Sequence, residues 1–273
     1  MSWMKINPRS MKRALSTVAN SLAVFAGLLM LWQLVLLIFR VPAYMLPSPW
    51  AVARSVVSRA PTLATAFTIT GEEALGGLMA SVVAGAAIAL VFAQSRWIRR
   101  MLYPYTLLLQ TVPIVAIAPL ILMWVGAGTA SVTLIAFIIS LAPIIANTTQ
   151  GLVSVEENMV HLFLMHNATP AQILFKLRLP HAIPSLFVGI RVASGIAVIG
   201  AITGELYAGS SRVGEGGLGY SILYASSQLQ TDFLFALVFA ATLLGFAFFF
   251  SVMFLEWWFL HRWHESARTP DAG

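Results

Sequence analysis

The residues that could do acid–base, metal or nucleophilic chemistry are few and scattered. The chain has 5 His, 10 Asp plus Glu and no Cys, which excludes disulfide frameworks and thiolate zinc sites. His261, His264 and Glu265 are the nearest approach to a metal cluster. Their spacing lacks the H-E-x-x-H of a helical zinc site, and Trp257, Trp258 and Trp263 beside them read as an aromatic belt with a polar tail at a membrane face. The stretch Gly214-Glu215-Gly216-Gly217-Leu218-Gly219 is glycine-rich but has no Lys, and no G-x-x-x-x-G-K-[S/T] loop occurs in the chain. It reads as a turn. Glu72, Glu73 and Glu205 lie in or beside apolar segments. Burying the most polar side chains at a membrane centre costs about 2.5–3.5 kcal/mol or more, so such groups face a bundle interior or a cavity.

The elements that carry these residues are membrane spans. Of 273 residues 59% are hydrophobic and 10% charged, with a mean hydropathy of +0.85. Soluble domains carry about 25% charged residues, so lipid must cover much of this chain. The expected fold is an all-α integral membrane domain with six transmembrane helices, near 20–40, 68–93, 102–126, 129–149, 184–206 and 233–260. The apolar run from about Leu22 to Phe39 exceeds a signal-peptide core and reads as an uncleaved first span. Gly126 and Gly128 predict a tight hairpin between the third and fourth spans, and Ser48-Pro49 the start of a short interfacial helix.

Charge sets the orientation. With the N-terminus inside, Lys5, Arg9, Lys12, Arg13, Arg96, Arg99, Arg100, Lys176, Arg178, Arg262 and Arg268 lie inside, and Arg40, Arg54, Arg59 and Arg212 outside. Eleven against four places both termini in the cytoplasm. The pI of about 10.1 therefore reflects topology rather than a nucleic-acid partner. Glu72 and Glu73 read as an interfacial helix start, or as a gate or helix–helix contact. Glu205, near the outer end of the fifth span, reads as a pathway or gate group or as a structural hydrogen bond. Gln110 and Thr111, deep in the third span beside Pro113, face a solute or pack between helices. Asn147, Thr148, Thr149 and Gln150 mark an exit into water. Gly76, Gly77, Ala80, Ser81, Gly85, Ala86 and Ala87 permit close packing, within the chain or across a dimer.

Between the fourth and fifth spans the sequence reads EENMVHLFLMHNATPAQILFKLRLP from Glu156 to Pro180. Two short helices are predicted. The first starts at the acids and has Val160, Phe163 and Leu164 on one side. Asn167 tolerates a left-handed turn, and Thr169-Pro170 cap and open the second helix. Ile173, Leu174 and Leu177 give it an apolar stripe, with Lys176 and Arg178 facing elsewhere. Pro180 and Pro184 stop or bend it before the fifth span. The segment fits either a membrane-surface helix or a helix that docks in a partner's groove.

This stretch resembles the cytoplasmic loop of binding-protein-dependent ABC importer permeases, whose pattern is Glu-Ala-Ala, three residues, Gly, nine residues, Ile, any residue, Leu-Pro. Leu179-Pro180 match its end, with Leu177 in place of Ile; Asn167 stands at the Gly position and His161-Leu162-Phe163 at Glu-Ala-Ala. Leu46-Pro47-Ser48-Pro49, Gln110-Thr111-Val112-Pro113, Ala118-Pro119-Leu120, Trp124-Val125-Gly126, Leu179 to Pro184, Gly189-Ile190-Arg191, Gly204-Glu205 and Gly217-Leu218-Gly219 continue the similarity in order over about residues 45–260. The likeness is to the nitrate/sulfonate/bicarbonate/taurine branch, and Val198 to Glu205 also resembles relatives assigned to pyrimidine or riboflavin uptake.

The resemblance implies a type I (MetI-like) permease fold. It divides the chain into a cytoplasmic segment and first span (1–45), an extracytoplasmic segment (46–67), a permease core (68–260) with a coupling loop at 156–182, and a cytoplasmic tail (261–273). It implies an ATPase-coupling role for His161, Leu162, Phe163, Asn167, Thr169, Pro170, Leu177, Leu179 and Pro180. The chain would be a non-catalytic subunit in a bacterial inner membrane, pairing with a second permease copy. ATP and Mg would be bound by a separate cytoplasmic ATPase, and an extracytoplasmic binding protein would deliver the solute, the 214–219 turn lying near its docking face. An ion-coupled secondary transporter is the alternative; it should show inverted repeats and charged, unwound mid-membrane helices, and no convincing inverted repeat is visible. An intramembrane enzyme would need a paired catalytic constellation, and none occurs.

Overall fold

The computed structural model describes the backbone of residues 8–208 and 216–261, with side chains from Asn20 on, Ser21 and Leu22 excepted. Lys5, the side chains of Arg9, Lys12 and Arg13, residues Arg212, Gly214 and Glu215, and the tail with Arg262, Trp263, His264, Glu265 and Arg268 lie outside the described residues.

Every regular element among the described residues is helical: α1 (Pro8–Phe39), α2 (Pro49–Ser58), α3 (Ala60–Gln94), α4 (Arg96–Thr111), α5 (Ile114–Val125), α6 (Thr129–Val153), α7 (Glu157–Met165), α8 (Pro170–Ile173), a π-helical turn (Leu174–Arg178), α9 (Leu179–Ala208), α10 (Leu218–Ser227) and α11 (Thr231–Leu260). The chain divides into two compact units, residues 1–60 with 225–236 and residues 61–224 with 237–273. In the first, Ser48 caps α2 by accepting the Ala51 N–H at 3.2 Å, with Pro49 in the first turn, as the sequence predicts. The Arg59 guanidinium lies 4.5 Å from the Phe233 ring centroid and donates to Gln230.

The second unit is built on close helix contacts. Lipid tails are as apolar as Leu, so helices associate there through packing and small residues rather than hydrophobicity. On α9, Gly189, Ala193, Ala197, Gly200 and Gly204 form one buried face against α6, which runs antiparallel. A Cβ on Gly200 would lie 3.0 Å from Ala136 Cα, one on Gly204 3.2 Å from Val132 Cα, and one on Gly151 of α6 2.6 Å from Ser185 Cβ. The small face of α3 packs on α6 from another side, running parallel to it. A Cβ on Gly77 would meet Ala136 Cβ at 2.6 Å, and Ser81 donates to the Phe137 carbonyl at 2.7 Å. Gly77, Ser81 and Gly85 of that stripe therefore pack within the chain, while Ala80 and Ala87 are exposed.

The spans differ in part from expectation. Among the described residues four helical stretches are long and apolar enough to cross a membrane: Ala60–Gln94, Thr129–Val153, Pro170–Ala208 and Thr231–Leu260. Ala23–Phe39 is a shorter apolar stretch of α1. The third expected span is not one straight helix: α4 and α5 meet at 97°. Pro113 has no N–H and disfavours helical backbone in the residue before it, and Val112 is extended at φ −65°, ψ 120°. Counting this bent pair once gives five candidates, not six. The hairpin after α5 forms as expected, with Gly126 at φ 99° and Gly128 at φ 128°, where a side chain would be strained.

The fifth span also departs from expectation. Pro180 and Pro184 neither stop the helix nor separate it from the loop; Pro170–Ala208 runs on as a single 39-residue stretch. In an α-helix a proline ring clashes with the carbonyl four residues back. The π turn just before Pro180 closes with Leu179 N–H bonded to the Leu174 carbonyl, and its wider turn accommodates the ring. Thr148 and Thr149 are also corrected. They are buried against the rest of the unit at 3% and 2% exposure rather than opening to water.

If the small-residue contacts set helix spacing, Gly77→Ala and Gly200→Ala should each lower stability by about 1–3 kcal/mol through overpacking. Gly245→Ala, whose Cβ would meet nothing within 4 Å, should not. Thermal unfolding of the purified protein in detergent measures both.

Candidate functional site

The segment from Glu156 to Pro180 folds as an elbow. α7 begins beside the acids, with Glu157 in its first turn, and ends at His166. Asn167 takes the left-handed conformation at φ 54°. Its N–H bonds the Leu164 carbonyl at 2.9 Å and that of Ala168 bonds Phe163 at 3.0 Å, closing the helix end. Thr169 then forms a full capping box: its hydroxyl accepts the Gln172 N–H at 3.3 Å, and the Gln172 side chain accepts the Thr169 N–H at 2.8 Å. Pro170 occupies the first turn. The turn chemistry read from sequence is the turn chemistry found.

The two arms of the elbow face each other across a cleft of about 560 Å³ lined by Val160, Leu164, Ile173, Leu174, Arg178 and Ala93, among others. Ile173 is buried, Phe163, Leu177, Leu179 and Pro180 are half-buried, and His161, Leu162, Asn167, Thr169 and Pro170 are exposed. Leu162, Met165 and Phe175 present apolar surface outward, at 48%, 81% and 62% exposure. That is the surface a docking helix offers a groove. Arg178 does not face elsewhere as expected. It turns inward and donates to the Ala93 carbonyl at 3.0 Å, at the end of α3, where a cation complements the helix dipole. Beneath it Ala89, Ala93, Leu152 and Ala182 form a buried cluster that joins the inner ends of α3, α6 and α9.

At the other end of the same helices lies a buried polar clasp. Glu205 on α9 is 3% exposed. Its carboxylate accepts the Thr70 hydroxyl at 2.6 Å and the Gly219 N–H at 2.5 Å. Thr70 on α3 accepts in turn the Leu218 N–H at 2.8 Å. Gly217 has no room for a side chain, because a Cβ there would overlap the Glu205 carboxyl and crowd Thr70. Glu205 is thus held by structural hydrogen bonds. Glu73 is also buried, beside Glu205 and Thr129, and its Oε2 has no hydrogen-bond partner. It is not an interfacial helix start: α3 begins at Ala60 and carries Glu73 into the bundle, while Glu72 is exposed. Thr70 and Arg178 are the residues that sequence reasoning missed. Thr70 stands three residues before Glu73 on one helix face, a signal that was available; nothing local announces that Arg178 turns inward.

Gln110 and Thr111 are not buried in a straight span. Both are exposed at the end of α4, immediately before the 97° bend. No group of three or more metal-ligating side chains occurs among the described residues. His261 instead packs on Trp257, with ring centroids 5.1 Å apart.

Comparison with known proteins gives a consistent picture. The family described as "Binding-protein-dependent transport system inner membrane component" matches residues 76–264. A probable ABC transporter permease protein of Haemophilus influenzae is 34% identical, over 88% of this chain and 95% of that protein. The formylaminopyrimidine transport permease protein ThiX of Halalkalibacterium halodurans is 30% identical, over 90% and 96%. The putative aliphatic sulfonates transport permease protein SsuC of Escherichia coli is 27% identical, over 90% and 92%. Among solved structures, the inward-facing methionine ABC transporter MetNI aligns over 76% of this chain and 97% of that chain, at 19% identity and a TM-score of 0.49.

The left-handed turn makes a local prediction. Asn167→Gly should leave the elbow intact. Asn167→Val should weaken it by about 1–2 kcal/mol, because a β-branched side chain is strained in a left-handed conformation that Asn tolerates. Limited proteolysis should cut the 165–169 segment faster in the Val variant only.

Proposed function

The chain belongs to the family of binding-protein-dependent transport system inner membrane components, and from that premise we propose how it works as the membrane-spanning subunit of an ATP-driven importer. Two copies form the translocation pathway. A cytoplasmic ATPase seats on the elbow, binds ATP and Mg, and drives the cycle, while an extracytoplasmic binding protein delivers the solute. The chain itself catalyses nothing.

One observation carries this reading. The outer arm of the elbow, α8, runs without a break through the π turn into α9. A partner pushing on the exposed Phe175 would act directly on a body continuous with a membrane span, and one pushing on Leu162 and Met165 of α7 would act on it through the packed arms of the elbow. This is rigid-body switching. His161, Leu162, Phe163, Asn167, Thr169, Pro170, Leu177, Leu179 and Pro180 form the seat and its hinge chemistry.

The proposed topology has six spans in a type I (MetI-like) permease fold, with α1 and the bent α4–α5 pair each crossing once and both termini in the cytoplasm. It is supported by the excess of Lys and Arg on the inner segments. It is supported too by helix direction, since alternating spans require α3 parallel to α6 and antiparallel to α9. The break at Val112–Pro113, with Gln110 and Thr111 exposed beside it, belongs on the pathway, because irregular backbone at membrane depth needs protein or water around it. Glu205 is proposed to steady the outer end of that pathway rather than to touch the solute.

The cargo is proposed to be a small heterocycle of the pyrimidine type rather than a sulfonate or nitrate anion. The relative named for formylaminopyrimidine matches at 30% identity and the one named for aliphatic sulfonates at 27%, and Val198 to Glu205 resembles the pyrimidine and riboflavin relatives. Mass spectrometry of the ligand that co-purifies with the cognate binding protein decides this; a sulfonate or nitrate there refutes the heterocycle.

The coupling role makes its own prediction. Asn167→Pro, and Phe163→Asp on the exposed arm, should leave the protein in the membrane and abolish solute uptake while the ATPase still turns over. Normal accumulation in both variants would refute the assignment of the elbow.

A further inference from the structure

The elbow meets the C-terminal end of α3, and the buried clasp meets the same helix at Thr70, 10 residues after its start at Ala60. Near the C-terminal end the Ala93 carbonyl accepts from Arg178, which belongs to the π turn of the elbow. Thr70 bonds both Glu205 of α9 and the first N–H of α10. The two ties are 23 residues apart on one uninterrupted helix, about 35 Å at the rise of an α-helix. Neither tie is a loose surface contact. Thr70 is fully buried at 0% exposure and Ala93 at 6%. Between them α3 presses its small residues against α6, where a Cβ on Gly85 would come within 2.7 Å of Ile144. A continuous helix tied at these two points and packed against α6 between them transmits displacement instead of absorbing it.

We propose that α3 is the rod that carries movement of the elbow to the α9–α10 corner, with Arg178 and Thr70 as the positioning residues that tie it at these two points. The inference rests on the elbow being the seat of the ATPase. It adds that the push does not travel through α9 alone. Helix α9 is continuous with the elbow and reaches Glu205 by itself. α3 gives a second, parallel route that ends on the same carboxylate, so the corner moves as one block only when both routes are intact. Glu205 closes the loop by accepting from Thr70 on α3 and from Gly219 on α10.

The test uses the complete transporter, with its ATPase and binding protein, in proteoliposomes, and reads solute accumulated per ATP hydrolysed. Arg178→Met keeps the apolar stem and removes the donors; Thr70→Val keeps the shape and removes the hydroxyl. Each should lower the ratio about fivefold or more, the scale of an ordinary coupling free energy. Arg178→Lys and Thr70→Ser, which keep a donor, should restore most of it. Side chains this far apart with no shared partner normally act additively. A rod predicts otherwise: Arg178→Met with Thr70→Val together should be no worse than the poorer single variant, because one cut already opens the route.

A double variant whose loss is the product of the two single losses overturns the rod, and so do single variants with the wild-type ratio. Should Thr70→Val fail to assemble, the half-buried Arg178 decides the matter alone through the difference between its Met and Lys variants. A wild-type complex that shows no ATP-dependent accumulation is a separate result. It refutes the transport reading itself, and the rod with it.

Discussion

The contact between α6 and α9 is the constraint on which the rest of the structure depends. In lipid the two helices gain nothing by hiding apolar surface, so they hold together by fitting closely. The fit needs positions without side chains. Gly189, Gly200 and Gly204 sit where a Cβ would come within 3.1 to 3.2 Å of the facing helix or closer. The elbow joins the inner end of α6 to the inner end of α9, so the spacing of this pair fixes where both arms of the elbow begin. A wider pair would pull apart the cluster of Ala89, Ala93, Leu152 and Ala182 and, with it, the acceptor that Arg178 needs.

The same packing governs the polar groups. Glu205 can be buried because α9 and α3 are held close enough for Thr70 to reach it and because α10 starts with two residues, Leu218 and Gly219, whose N–H groups point inward. These hydrogen bonds give partners to carboxyl oxygens that would otherwise be buried alone. The glycines at 217 and 219 are then required by contact rather than by flexibility, since side chains there would collide with the carboxyl group or with the Ile202 carbonyl.

What the sequence made legible was mostly local. The Asn167 turn, the Thr169-Pro170 helix start, the Ser48 cap and the Gly126–Gly128 hairpin follow from backbone preferences that act within a few residues, and tertiary packing did not override them. The family was legible because its motifs recur in order along the chain. What was not legible came from long-range partners. Glu73 looked interfacial because the second span was expected to begin near residue 68; α3 begins at Ala60 and carries the acid inside. Arg178 looked like a surface charge because its acceptor is 85 positions away. Pro180 looked like a break because single-residue rules do not foresee a π turn that makes room for it. Pro113 was noticed, yet the third span was expected to run through it rather than to bend there by 97°.

On the proposed reading, a push at an exposed apolar surface displaces tightly fitted helices, and the energy comes from a separate ATPase. The most direct test compares liposomes containing this chain alone with liposomes that also contain its ATPase and binding protein, each given solute outside and ATP at the ATPase face. The account predicts uphill accumulation only in the complete system, and none from the chain alone under any ion gradient. Uphill accumulation by the chain alone would contradict it.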